Sequence, residues 1–260
     1  VRVCAKDFVF LQFKNRIILI SKSEIKLITS LRQKKYRLQY GLFVAEGVKI
    51  IQDFLDSGVF PHSIYTVETL RSVFPEAEVV SENELKKISN LKVPSGCLAV
   101  FKIPTLQEPP VKGLVVALDG VRDPGNLGTI IRLCDWFGVL FLFCSEDTVD
   151  CYNPKVVQAS MGSIARVKVQ YGVLQTYLKS APLPAFAAVM EGSSVYTEVM
   201  PAEAILVLGN EANGISEAIK NFCKNTISIP AFGKSKTAES LNVAMATAIL
   251  LSEFRRATEM

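Results

Sequence analysis

Beyond residue 113 the chain carries six short apolar runs, LVVALDG, VLFLFCS, VKVQYG, AFAAVM, AILVLGNE and TISIPA, separated by stretches of helical periodicity. A strand that is apolar on both faces has to be covered on both. Alternating helices achieve this by flanking a parallel sheet. The fold class of this part is therefore α/β, and ligands are expected at the carboxyl ends of the strands, where the connecting loops open. The last segment, LNVAMATAILLSEFRRATEM, reads as a helix apolar nearly all round, suited to burial in the fold or against a second subunit.

The preceding residues read as a smaller α/β unit. Ser21 and Glu24 have capping-box spacing, Ile25, Ile28 and Leu31 form one apolar stripe, and Gly41 suits a helix stop, which together predict a helix of about five turns. Strand LFVAEG, helix VKIIQDFLDS, strand SIYTV, the segments TLRSVF and AEVVS, a second capping box at Ser81 and Glu84, and strand CLAVFKI follow. PTLQEPPVKG has three prolines and no periodicity, the composition of a linker. The expected organisation is an N-terminal extension over 1–20, a small domain over 21–103, a linker over 104–112 and a larger domain over 113–260.

Several chemistries are excluded at once. His62 is the only histidine, so a His-based triad, a facial triad and an HExxH zinc site are impossible, and no metal is expected. The six cysteines form no C-x-x-C pair and read as free thiols in a reducing cytoplasm. The apolar N-terminal run is interrupted by Gln12, Lys14, Asn15 and Arg16, and no span reaches the roughly 20 apolar residues of a membrane helix. Lys and Arg outnumber Asp and Glu by 29 to 25, which permits a polyanionic partner without requiring one.

Three loops at predicted strand ends hold the unusual residues: LDGVRDPGNLGTIIR (118–132), LGNEANGIS (208–216) and IPAFGKSKTAESLN (229–242). Each places Gly, Asn or Ser just before a helix, where free backbone N–H groups are available, although any one alone is compatible with ordinary turn chemistry. No G-x-G-x-x-G follows the first strand of either domain, which argues against a dinucleotide-dependent oxidoreductase. Gly233-Lys234-Ser235 imitates the end of a P-loop, but the glycine required five residues earlier is Ser228.

In combination and order, DPGNLGTIIR, LGNEANGIS, and IPAFG followed by SLNVA resemble the three motifs of the SpoU/TrmH branch of the SPOUT superfamily, the RNA ribose 2'-O-methyltransferases. The resemblance covers residues 113–260 closely. The unit before it looks, more loosely, like the substrate-binding domain of family members, related to small ribosomal RNA-binding proteins. Two departures are visible: the longer stretch KSKTAE before SLN, and Ala244 where many members have Ser.

The resemblance implies a knotted (trefoil) parallel-sheet methyltransferase domain, S-adenosyl-L-methionine as cofactor, RNA as partner, ribosomal rather than transfer RNA given the extra domain, and a homodimer. Carried over by motif position, the cofactor contacts are Leu208, Gly209, Asn210, Ile229, Pro230, Ser240 and Leu241. The catalytic group is Arg132, with Asn126, Glu211, Ser240 and Asn242. A guanidinium stays protonated and is a poor base, so Arg132 is expected to hold an RNA phosphate and lower the 2'-hydroxyl pKa. Asn126 would position substrate or Arg132, and Glu211 would brace the motif loops. Without the resemblance, Arg132 reads equally as a solvated helix residue, Ile229 and Leu241 as core, and Ser240 and Asn242 as caps of the last helix.

In the first domain Arg32, Lys34, Lys35 and Arg37 surround Tyr36, a basic cluster able to contact phosphates and stack on a splayed base, or simply a solvated helix face. The competing function is an RNA-binding ribosome-assembly module that keeps the fold without catalysis.

Overall fold

The computed structural model describes residues 17–105, 109, 112–233 and 240–256. Most of the expected N-terminal extension, part of the linker and the KSKTAE stretch lie outside the described residues. The chain divides into two compact units between Ile103 and Pro104.

In the first unit, helices α1 (Lys22–Ser30), α2 (Lys34–Tyr40), α3 (Val48–Asp56) and α4 (Glu82–Ile88) surround strands β1 (Leu42–Glu46), β2 (Pro61–Thr66), β3 (Glu78–Val79) and β4 (Cys97–Lys102). The sheet order is β1-β4-β2-β3, with β4 antiparallel to both neighbours. Alternation along β1 feeds two cores. Leu42 and Val44 join Ile28, Leu31 and Leu98 on one face. Phe43 packs with Phe54 and Phe101 on the other, at ring-centroid distances of 5.2 and 5.8 Å.

Four expectations need correction. The predicted five-turn helix is two helices. Thr29 and Ser30 turn their hydroxyls back onto the carbonyls of Ile25 and Leu27, both at 2.6 Å, and Leu31, Arg32 and Gln33 each donate to the residue three back. Such local bonds compete with helix continuation. Arg37, expected among the RNA contacts, is buried, and its Nη1 donates to the carbonyls of Leu31 and Arg32 at 2.7 and 2.9 Å. The guanidinium thus satisfies the carbonyls that the break exposes. The second capping box is half formed: Ser81 caps the Glu84 N–H, but the Glu84 carboxylate accepts from the Ile20 N–H and from Lys87. Finally, the fold begins before Ser21, since Ile18 bridges to Val80 and Ile20 is buried in the core. TLRSVF contributes only a 3-10 turn, Glu68–Leu70.

The second unit is a six-stranded, wholly parallel sheet in the order β10-β8-β9-β5-β6-β7, from β5 (Leu114–Asp119), β6 (Phe141–Ser145), β7 (Lys168–Gly172), β8 (Ala185–Ser194), β9 (Ala204–Gly209) and β10 (Asn225–Ser228). Helices α5 (Pro124–Trp136), α6 (Pro154–Ala159), α7 (Leu174–Ser180), α8 (Glu217–Lys220) and α9 (Val243–Arg256) connect and cover it. Strand order reverses between β5 and β9, so their ends open a crevice at a topological switch point. Strand β8 pairs β10 at Phe186 and Ala187 and again at Ser193 and Ser194, skipping residues 188–192. Among the described residues no helix is long and apolar enough to cross a membrane.

Two close approaches fix the helical layer. A Cβ on Gly128 would stand 2.5 Å from the Ala159 Cβ and 2.9 Å from the Val156 carbonyl, so α5 and α6 meet at their backbones. Asp135 of α5 is held by Arg166, with Nη2–Oδ2 at 2.7 Å and Nε 3.0 Å from the same oxygen. Between these contacts the chain turns through Met161, whose φ of 51° is the one positive value at a non-glycine residue among those described. That conformation costs an L-residue about 1 kcal/mol.

Replacing Arg37 by Met should leave two carbonyls without their donor and lower the stability of the chain by about 2–3 kcal/mol, measured by urea denaturation.

Candidate functional site

The three motif loops meet where β5 and β9 end side by side, with Asp119 in register with Gly209. The first loop leads into α5, capped by Asp123, whose Oδ1 accepts the Asn126 N–H at 2.8 Å. Pro124 occupies the first helical turn, where its missing N–H costs nothing. The helix thereby presents the Asn126 side chain one turn in.

Asn126 joins the other two loops. Its Nδ2 donates to Glu211 Oε1 at 2.9 Å, and its Oδ1 accepts from Asn242 Nδ2 at 2.9 Å. Asn242 in turn accepts the N–H groups of Ala244 and Met245 at 2.9 and 3.3 Å, capping α9. A carboxylate only accepts, so Glu211 dictates which end of the Asn126 amide faces it, and Asn126 then dictates the orientation of Asn242.

A second set of bonds locks the first two loops together. Gly120, at φ 75°, donates its N–H to Ser145 Oγ at 2.8 Å, and its carbonyl accepts from Asn210 Nδ2 at 2.6 Å. Ser145 also donates to Asp147 Oδ1 at 2.6 Å, and this bond above all, with Arg122 adding to it, holds the Asp147 carboxyl below the usual carboxylate range. Asp119 Oδ2 accepts the Ser216 N–H at 2.7 Å and so anchors the far end of the LGNEANGIS turn. That turn closes on itself through reciprocal backbone bonds between Asn210 and Gly214, both 2.9 Å. Asn210 Oδ1 accepts the N–H groups of Ala212 and Asn213.

Of the residues expected to contact the cofactor, Leu208 is buried, while Gly209, Asn210, Ile229 and Pro230 are half-buried. Ser240 is exposed and Leu241 is 51% exposed. Apolar side chains beside a rim of polar loop groups suit a flat heteroaromatic ring with polar substituents. The five cysteines among the described residues are free and buried, and burial pushes Cys97 and Cys223 each up to about 11, so neither is an activated nucleophile.

Arg132 is not gathered into this junction. It lies six residues beyond Asn126 on α5, about 9 Å along the axis and about 120° round it. It is exposed and makes no hydrogen bond or ion pair with the described residues. Trp136, one turn further along the same face, is 83% exposed.

In the first unit, Lys34 and Lys35 are exposed, Tyr36 stacks on Tyr40 at 6.3 Å with ring planes 15° apart, and Lys35 Nζ lies 5.6 Å from the Tyr36 ring centroid. Arg32 donates to Asn90 Oδ1 and the Ser89 carbonyl, both at 2.8 Å.

Sequence reasoning missed Asp119, Ser145 and Asp147. The available signal was a polar residue at the carboxyl end of an otherwise apolar strand, LVVALD and VLFLFCSED, beside the reversal of strand order.

Residues 113–252 match the SpoU rRNA Methylase family, and residues 22–99 match an MRM3-like substrate binding domain. The chain is 28% identical over 241 residues to the 23S rRNA (guanosine(2553)-2'-O)-methyltransferase RlmP of Bacillus subtilis, covering 89% of this chain and 96% of that protein. A TrmH-family protein from Porphyromonas gingivalis has a similar structure, with a TM-score of 0.84 and 40% identity over 92% of this chain and 99% of that one. The AdoMet-bound rRNA methyltransferase of Sinorhizobium meliloti gives a TM-score of 0.79 and 29% identity over 93% and 97%.

A Cβ on Gly209 would stand 2.1 Å from the Gly214 carbonyl carbon, whereas one on Gly233 would meet nothing within 4 Å. Gly209→Ala should therefore destabilise the chain by about 3 kcal/mol, and Gly233→Ala by less than about 0.5 kcal/mol, in parallel chemical denaturation.

Proposed function

This chain belongs to the SpoU rRNA methylase family, and from that premise we propose that it transfers a methyl group from S-adenosylmethionine to a ribose 2'-hydroxyl of ribosomal RNA. The observation that carries the reading is the side-chain bridge from Glu211 through Asn126 to Asn242, which ties all three motif loops into one crevice at the switch point. The names of the relatives support the acceptor, and the Sinorhizobium meliloti structure supports the cofactor.

When bound, the cofactor supplies a methyl group already activated by its sulfonium, and the leaving group departs neutral. This agrees with a site built from amides, hydroxyls and carboxylates. Leu208, Gly209 and Asn210 would hold it from one side, and Ile229, Pro230, Ser240 and Leu241 from the other. The exposed apolar surface of Leu241 and the half-buried side chain of Ile229 suit the faces of an adenine. The trefoil knot of the family would enclose this cradle.

The protein's remaining tasks are to align the 2'-hydroxyl and ease removal of its proton. Asn242 and Ser240 stand at the crevice edge to line the ribose. Arg132 holds the RNA phosphate, and its positive charge lowers the pKa of the adjacent hydroxyl. Because Arg132 sits round the helix from Asn126, with exposed Trp136 on its own face, we place it at a homodimer interface, serving the crevice of the second subunit. In the first unit, Lys34 and Lys35 contact phosphates, while Tyr36, backed by Tyr40, offers a stacking surface to an unpaired base. Arg32 flanks this surface.

The purified chain, incubated with radiolabelled S-adenosylmethionine and unmodified 23S rRNA transcript, should place label on a ribose 2'-oxygen. Label on a base would overturn the acceptor, and no label together with no cofactor binding would favour a non-catalytic RNA-binding module. Arg132→Ala and Asn242→Ala should each reduce turnover about 100-fold with folding intact. Reversing the charge of Lys34 and Lys35 together should weaken RNA binding and flatten its salt slope by roughly 2, while leaving cofactor affinity unchanged.

A further inference from the structure

We propose that Met161 is a positioning residue for Arg132, an inference that rests on the role assigned to Arg132 above. Successive positions on one face of α5 meet the segment 156–166 in order. Gly128 touches Ala159, Val156 and the Ser160 nitrogen, and Asp135 is gripped by Arg166. By helical spacing Arg132, four residues after Gly128 and three before Asp135, falls between these anchors on the same face, which directs it towards the stretch of the segment that holds Met161.

That turn is held in an unfavourable conformation from both sides. Ser160 is fully buried and its hydroxyl donates to the Val157 carbonyl at 2.8 Å. Met161 N–H donates to the Gln158 carbonyl at 3.3 Å, and Gly162 follows at φ 91°. Glycine at position 161 would adopt φ 51° without strain. The methionine side chain is 39% exposed, so core packing does not account for its presence.

Arg132 has no polar partner among the described residues to orient it. An arginine stem of three methylenes is instead directed by what it lies against, and a thioether is an adaptable apolar surface for that purpose. Strain retained at an exposed side chain next to an otherwise unguided guanidinium assigns Met161 the task of setting the direction in which Arg132 extends.

Met161→Gly tests this, because a purely structural residue and a positioning residue give opposite signatures. The variant should melt at the same or a higher temperature than the parent and bind S-adenosylmethionine with unchanged Kd. It should lose about 10-fold or more in kcat on 23S rRNA transcript, with KM little changed. Met161→Leu, which keeps the apolar bulk, should recover most of the loss. Wild-type kcat in Met161→Gly with Arg132→Ala inactive would overturn this inference alone, whereas full activity in Arg132→Ala would remove its premise. A fall in melting temperature, or dissociation of the oligomer in parallel with lost activity, would make Met161 a packing residue and also overturn it.

Discussion

One amide holds the crevice together. Asn126 is the point at which its own loop and two others, reached at residues 85 and 116 positions away in sequence, become a single surface. Each of its bonds is exposed or partly so, and individually contributes about 1 kcal/mol. Their value lies in direction. The carboxylate of Glu211 can only accept, and this single fact propagates through two amides to the first N–H groups of α9. The last helix therefore starts in a position determined by a residue of the second loop.

The sheet makes that junction possible. Because β5 and β9 are neighbours with opposite crossover directions, the loops leaving them diverge and leave space between. Backbone contacts admit no side chain at Gly209, where the turn folds back on its own strand, or at Gly128, where α5 rests on α6. Ser145 and Asn210 then fasten the loops from below through the N–H and the carbonyl of Gly120, and Asp119 does so through the N–H of Ser216.

Much of this was legible beforehand where periodicity or motif order carried the information. The six apolar runs became the six strands, and the motif loops stand at their carboxyl ends. What failed to read through were decisions made by tertiary contact. RQKKYR looks uniformly basic, yet Arg37 is drawn inside because the break after Ser30 leaves carbonyls that only a long donor can reach. Glu84 has the spacing to complete a capping box, but the Ile20 N–H and Lys87 offer its carboxylate other donors. Ile18 and Ile20 resembled a dispensable extension because the residues they pack on, Val80 among them, lie far along the chain. Arg132 was singled out by motif position, but helical geometry turns it away from Asn126, which sequence order alone conceals.

The span of the Asn126 bridge also bears on how the molecule comes to exist during synthesis. The bond from Asn242 closes the longest interval in the crevice, and α9 is the final described element of the chain. Translation proceeds from the N-terminus, and contacts between distant residues form late because their loop-closure entropy must be met first. The sheet can assemble up to β10 while the crevice still lacks its third side. In a growing chain of this kind the crevice therefore gains its third side only once α9 has been synthesised.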